Sequence, residues 1–167
     1  MVKINIIAAI DNNRAIGYQN KLLFHIDEDM KHFKQLTTGH TIVMGRRTFE
    51  SLPNGALPHR RNIVVSTTMK QRELAEGYSY HKQQGIEVFS SLTEALAACA
   101  NEDDIYIIGG EKIYQQAIAF AHRLYLTIID ASAPHADAWF PPFDGWLLKE
   151  DSPRQGYSFR VYEKVKG

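Results

Sequence analysis

The sequence predicts an α/β fold: a central, mostly parallel twisted sheet with helices on both faces and an antiparallel C-terminal hairpin at its edge. Three observations predict it. Short Ile/Val-rich runs, apolar at consecutive positions, recur along the chain, as strands buried on both faces require. Stretches of helical period separate several of these runs, which supplies the crossovers that parallel pairing needs. The last stretch instead alternates strictly, Tyr157-Ser158-Phe159-Arg160-Val161, as a strand with one wet face does.

The first strand is residues 4–10. It could imitate a short signal peptide, but Asn5 interrupts it, Asp11 ends it and no small-residue cleavage site follows. Residues 11–26 read as irregular. A helix follows over 27–37, with Ile26, Met30, Phe33 and Leu36 on one arc at about 100° per residue. Next come a strand at 41–44, a short helix at 46–51, an irregular segment at 53–61 and strands at 62–66 and 86–89. Ser91 and Glu94 stand at capping-box spacing ahead of an apolar stripe, so 91–99 is a helix. A strand at 105–108 and a helix at 111–120 precede the strand at 123–129. Residues 132–145 are irregular, and 146–149 with 157–161 form the hairpin. Long irregular segments in a compact domain usually carry function.

Composition restricts the class. At 167 residues, 44% hydrophobic and 23% charged, the chain fits one domain with a real core. Lys plus Arg equals Asp plus Glu at 19 each, so no global field pulls it toward nucleic acid or an anionic membrane, and a small ligand is the expected partner. No apolar run approaches the roughly 18 residues of a membrane helix. The single cysteine, Cys99, excludes an internal disulfide and a thiolate metal cluster, which suits a reducing cytosol. It extends the stripe Leu92, Ala95, Leu96 and is read as core. The seven histidines include no pair three or four apart, so a helical zinc site has no support and no metal is expected.

Asp29 is an acid where the first helix calls for an apolar residue. It falls inside the arc, between Leu36 and Phe33, whereas Asp27 and Glu28 fall outside it. Asp27 suits an N-cap, and Glu28 the positive end of the helix dipole. Two placements of Asp29 are open. Either it is desolvated, which raises a carboxyl pKa and makes it an acid, base or ligand anchor, or the helix is rolled so that it rims the core and touches water.

There is no G-x-G, G-x-x-x-x-G-K or G-x-S-x-G. Three strand ends are nonetheless suited to phosphate. The strand ending at Ile108 runs into Gly109-Gly110 and a helix, which offers bare backbone N–H groups. The strand ending at Met44 runs into Gly45-Arg46-Arg47-Thr48, and the third ends in Ser66-Thr67-Thr68. Arg46-Arg47 and Arg60-Arg61 hold four of nine arginines in two compact pairs, which suits discrete phosphates or carboxylates, unless they only solubilise the surface.

These residues carry a resemblance. The runs Ile7-Ala8-Ala9, Ile16-Gly17, Phe33-Lys34, 44–52, 57–62, Ile108-Gly109-Gly110 with Tyr114, 124–130 and Phe140-Pro141 occur in one order, nearly end to end, and the chain resembles dihydrofolate reductases of the chromosomal bacterial type. The resemblance implies NADPH-dependent reduction of 7,8-dihydrofolate to 5,6,7,8-tetrahydrofolate. It implies a cytoplasmic monomer of one domain, 1–167, whose cofactor-adenosine-binding portion is roughly 40–105.

It also implies roles. Asp29 would be the one ionisable group at the pterin, assisted by Thr127, with Leu22 and Phe24 completing the catalytic set. Ile7, Ala8, Leu22, Phe33, Leu52 and Ile108 would wall the substrate slot, and Arg60 would pair with the glutamate carboxylate of the folate tail. Arg46, Arg47, Ser66 and Thr67 would take the 2′-phosphate region of NADPH, and Thr48 with Gly109-Gly110 its pyrophosphate, across a cis peptide between the two glycines. Ala9, Ile16, Gly17, Gly45, Ile108, Glu111, Lys112, Ile113 and Tyr114 would complete the cofactor site. Residues 15–24 would be a lid over the nicotinamide, steadied by the loop around Asp137.

The chain departs from the family pattern at Leu23-Phe24, where Pro-Trp is common, and at Asp27, where a proline is common. Phe24 keeps the apolar bulk and lacks an indole N–H. Two other readings stay open: a pyrimidine reductase of riboflavin synthesis, which shares the general fold and NADPH, and a non-catalytic nucleotide-binding module. The acid on the apolar arc and Arg60 favour a folate.

Overall fold

The computed structural model describes residues 1–19 and 21–165. In chain order the elements are β1 (Lys3–Ile10), β2 (Ala15–Tyr18), β3 (Lys21–Leu22), α1 (Asp27–Thr37), β4 (Thr41–Gly45), α2 (Arg46–Glu50), β5 (Arg61–Val65), α3 (Thr67–Glu76), α4 (Tyr80–Gln84), β6 (Ile86–Phe89), α5 (Leu92–Ala98), β7 (Asp104–Gly109), α6 (Glu111–Ala117), β8 (Arg123–Ile129), β9 (Ala138–Trp139), β10 (Leu147–Pro153) and β11 (Tyr157–Glu163). An eight-stranded sheet runs β10-β11-β8-β1-β7-β4-β5-β6. From β8 to β6 every pairing is parallel, whereas β11 is antiparallel to both β8 and β10. The expected mixed sheet and edge hairpin are both present.

Consecutive strand residues divide between two cores, as the period of two requires. Ile6, Val43, Ile63 and Ile107 point to one face, where α5 and α6 cover them with Leu92, Ala95, Ile113 and Ala117. Ile7, Ile42, Met44, Val64 and Tyr106 point to the other, beneath Phe33 of α1, Phe49 of α2, Met69 of α3 and Tyr80 of α4. Each full burial of such a side chain contributes about 1.5–3 kcal/mol. Asn5, the polar interruption in the first strand, is fully buried and donates to the Asp104 side chain at 3.0 Å and to the Ile105 carbonyl at 3.2 Å, so it cross-links β1 to β7. Cys99 lies in the first core, where burial pushes its thiol up to about 12.

Several boundaries differ from expectation. Two helices, α3 and α4, occupy 67–85, which carries little apolar periodicity; Leu74 of α3 is exposed. Their signal is punctuation instead. Ser66 and Ser79 accept from the Met69 and Lys82 N–H groups as N-caps, and Gly77 and Gly85 close the helices at φ 66° and 69°. Helix α6 ends at Ala117, three residues early, because the chain tightens into an i to i+3 turn from Ala117 O to Phe120 N. The segments read as irregular hold a second sheet, β3-β2-β9, in which Gly17 pairs with both Leu22 and Ala138. At α5 only half a capping box forms: Ser91 accepts from Glu94 N–H, while the Glu94 carboxylate takes the Ser90 hydroxyl.

Arg61 spans the sheet margin. Its guanidinium grips the Glu87 carboxylate of β6 through two bonds, at 2.6 and 2.8 Å, and reaches Glu102 at 2.8 Å. Arg61 is therefore structural, its charge spent on Glu87 and Glu102. Arg61 holds Glu87 below the usual carboxylate range. A depressed carboxylate contributes stability that is complete above its unfolded pKa and is lost as the pH falls through the folded one. Arg61→Ala is expected to lower unfolding free energy by about 1–2 kcal/mol at pH 7. The deficit against the parent should shrink in acid, as denaturant melts at both pH values would show.

Candidate active site

The three acids opening α1 have three different fates. Asp27 is exposed and meets His25 at 3.1 Å; the N-cap is Ile26, with no side-chain bond, so Asp27 does not cap the helix. Glu28 accepts from the Tyr157 hydroxyl at 2.7 Å and from Arg154 Nε at 3.0 Å, which tethers α1 to β11 and the hairpin turn. Those bonds hold its carboxyl below the ordinary range. Asp29 turns inward, half-buried, and accepts from Thr127 Oγ1 of β8 at 2.5 Å. Burial pushes its pKa up, with the Thr127 bond and the charge of His32 working against the rise.

The helix is rolled relative to the expected arc. Met30 is 47% exposed and Thr37 is fully buried, so Asp29, Phe33, Leu36 and Thr37 form the inward side. Both placements were partly right: Asp29 faces the interior, at its rim.

From Asp29 the helix leads to Thr37, about 12 Å further along at 1.5 Å per residue. There Arg60 Nη1 donates to Thr37 Oγ1 at 3.0 Å and Arg60 Nε to the Pro58 carbonyl at 2.9 Å. Those two bonds use two of the five N–H groups of the guanidinium fork. Ile7, Phe33, Leu52 and Ile108 belong to the same apolar cluster under α1. Ala8 belongs to the other face of β1, so its methyl group does not join that wall. Leu22 is 70% exposed on β3, and Phe24 is half-buried between β3 and α1.

The C-terminal ends of β7, β4 and β5 are neighbours, and they bring the second group together. The Gly109–Gly110 peptide is cis. A Cβ at Gly110 would stand 3.2 Å from Thr48 Oγ1, one at Gly109 3.2 Å from Tyr114 Oη, and one at Gly45 3.2 Å from Ile113 Cγ1. These three positions are thus bare backbone against close neighbours. Arg46 and Arg47 open α2, exposed, and Arg46 meets Glu50 at 3.4 Å. Ser66 caps α3 and Thr67 begins it. An open cleft of about 560 Å³ lies between α2 and α3, lined by Arg46, Thr68, Met69, Arg72 and Tyr80 among others. Tyr114 is buried and donates to the Ile7 carbonyl at 2.8 Å, Ile113 is core, and Lys112 is exposed. Glu111 accepts from Trp139 N–H at 2.8 Å, which joins the head of α6 to β9.

Strands β2 and β3 pair antiparallel, and this hairpin docks on β9 through β2. Asp137 takes Gln19 N–H on its carboxylate and gives its own N–H to the Gly17 carbonyl, both at 3.0 Å. Ala9 and Ile16 lie half-buried at the root of this hairpin. One residue there was not anticipated. Asp11 is 2% exposed and accepts from three backbone N–H groups, those of Asn13, Ala15 and Ala133, at 2.8–2.9 Å. The signal was an acid ending a buried strand.

The family model described as dihydrofolate reductase matches residues 3–163. The chain is 38% identical over 170 residues to the dihydrofolate reductase of Bacillus subtilis (strain 168), covering 96% of this chain and 94% of that protein. It is 43% identical over 157 residues to the dihydrofolate reductase of Neisseria gonorrhoeae, covering 93% and 90%. It is 35% identical over 171 residues to the dihydrofolate reductase HdrB of Haloferax volcanii, covering 98% and 84%.

Because Asp11 satisfies N–H groups before β2, at its start and after β8, Asp11→Ala leaves three donors without their acceptor. A loss of about 1–3 kcal/mol is expected. Hydrogen exchange should accelerate first at Ala15 and Ala133, ahead of the central strands.

Proposed function

The chain belongs to the dihydrofolate reductase family, and we propose that it reduces 7,8-dihydrofolate to 5,6,7,8-tetrahydrofolate with NADPH. The carrying observation is the half-buried Asp29, bonded to Thr127 near the start of α1, with Arg60 bonded to Thr37 at the end of the same helix. Asp29 accepts from the pterin 2-amino group and ring N–H, which orients the ring between Ile7, Phe33, Leu52 and Ile108. Arg60 takes the tail carboxylate, its fork held in place by Thr37 and Pro58. Substrate is therefore gripped at two charged points with an apolar slot between them.

The residues at the ends of β4, β5 and β7 fit a phosphate-bearing dinucleotide, since bare backbone at Gly109-Gly110 lies against Thr48 and two arginines stand beside it. Thr48 and the glycines would hold the pyrophosphate. Arg46, Arg47, Ser66 and Thr67 would hold the 2′-phosphate, and all four fall within 40–105, which supports reading that portion as the adenosine side. When bound, NADPH supplies a hydride from nicotinamide C4 to pterin C6. Asp29 raises the proton affinity at N5, and the paired strands β2 and β3, with Leu22 and Phe24, exclude water. No helix among the described residues is long and apolar enough to cross a membrane. Loss of reduced-nicotinamide absorbance on mixing with dihydrofolate tests the reading; no dihydrofolate-dependent change would end it.

Asp29→Asn keeps shape and removes charge, so turnover at neutral pH should fall by orders of magnitude and partly return in acid, where dihydrofolate arrives protonated. Stability should move the other way. A raised carboxyl pKa means that the folded state binds the proton more tightly, so the ionised group costs stability above that pKa. At pH 7 the variant should melt no lower than the parent. Wild-type-like turnover would remove Asp29 from the mechanism.

Replacing Arg46 and Arg47 together by Ala should weaken NADPH far more than NADH, because only NADPH carries the 2′-phosphate. Titrating both cofactors by fluorescence measures this; equal losses would place that phosphate elsewhere.

A further inference from the structure

The face of α1 that carries Asp29 also carries a second ionisable group. His32 lies one helical turn later on the same side. Its ring rests on Phe159, 4.4 Å between centroids and tilted by 31°. Phe159 is the direct cross-strand partner of Thr127, and Thr127 is the donor to Asp29. Two pairs therefore sit side by side beneath the helix, Asp29 on Thr127 and His32 on Phe159, with the β8–β11 register fixing their separation.

The charged groups facing His32 are few. Asp29 and Glu28 come from its own helix, and Arg154 comes from the hairpin turn, its guanidinium 5.3 Å from the Phe159 ring. Tyr157 of β11 is engaged with Glu28, and β8 offers the neutral Thr127. Burial holds the imidazole below its usual value, the negative charges of Asp29 and Glu28 pull it back up, and Arg154 pushes it down.

We propose that His32 is a positioning residue for the acid: held on Phe159 beside Asp29, its charge state sets how readily Asp29 takes up a proton. The proposal rests on the reading of Asp29 as the acid of the site. With the ring neutral, burial and the Thr127 bond govern Asp29, and burial wins. As the pH falls the ring gains a proton, and its charge opposes a second one on the carboxyl. The two groups titrate as a pair and spread proton uptake over a wider range than a lone acid would. The coupling is reciprocal, so ionised Asp29 must raise the proton affinity of His32 by the same factor.

His32→Phe keeps a ring on Phe159 and removes the charge. The pH midpoint of its hydride-transfer rate should move up by roughly 0.3–1 pH unit, and its limb should steepen. His32→Asn, neutral but without the stack, should show the same shift. In Asp29→Asn, the His32 imidazole followed by NMR should titrate lower by a similar amount, a readout that needs no activity. Profiles that superimpose on the parent's, or fall by one factor at every pH, overturn the proposal, as does a His32 titration unmoved by Asp29→Asn. If no pH gives turnover of dihydrofolate, the functional reading fails instead, and the NMR shift still decides the coupling.

Discussion

The hydrogen bond from Thr127 to Asp29 joins α1 to the strand beneath it and is also the reason the carboxyl remains tunable. Moving an ionised carboxylate out of water costs far more than one neutral donor returns. Asp29 has one such donor, so burial wins and its proton affinity stays high. One residue earlier, Glu28 has a hydroxyl and a guanidinium and lies nearer water, and its proton affinity is low. Two acids in one helical turn thus sit at opposite ends of the scale, decided by burial against the number and charge of donors. Glu28 fixes the helix to the sheet; Asp29, under-compensated, keeps a high proton affinity.

The segment from the end of β1 to β3 solves a different problem with the same side-chain type. Asp11 is more deeply buried than Asp29, yet three backbone N–H groups converge on it. Those donors cannot rotate away, so the carboxylate fixes the turn after β1, the start of β2 and the loop after β8 as one unit. Farther along, Asp137 takes the Gln19 N–H and gives its own to the Gly17 carbonyl, a second tie between β2 and the segment before β9.

Much of this was legible because burial on both faces writes itself into consecutive Ile and Val residues. Strands β1, β4, β5, β6, β7 and β8 lie within a residue or two of where that pattern puts them. The C-terminal hairpin was placed by alternation, with its first strand several residues longer than the apolar run because Glu150 to Pro153 pair without burying anything. What escaped was structure held by backbone and caps. Helices α3 and α4 present few apolar residues to the core and are specified by Ser66, Gly77, Ser79 and Gly85, while β2, β3 and β9 are too short to show a period. At the site, Asp29 stood out because an acid on an apolar arc is anomalous. Asp11 did not, since an acid at the end of a strand is ordinary until the fold brings Ala133 to it.

The arginine pair at 60 and 61 shows why residue type and spacing reach only so far. Both are cations at the mouth of one strand, and the sequence offers the same reading for each. Strand β5 begins at Arg61, so that side chain is committed to the pleat and aimed along the sheet margin, where Glu87 on the adjacent strand and Glu102 meet it. Arg60, one residue before the ladder, is free of that alternation and swings to the C-terminal end of α1, where Thr37 receives it. A one-residue shift of the strand start would exchange the two. Which guanidinium reaches Thr37 is thus selected by register, which β4 fixes through the pairing of Thr41 with Arg61 and of Ile42 with Asn62. The apolar residues that pin this register, Ile42 and Ile63 among them, decide the placement of both arginines without touching either.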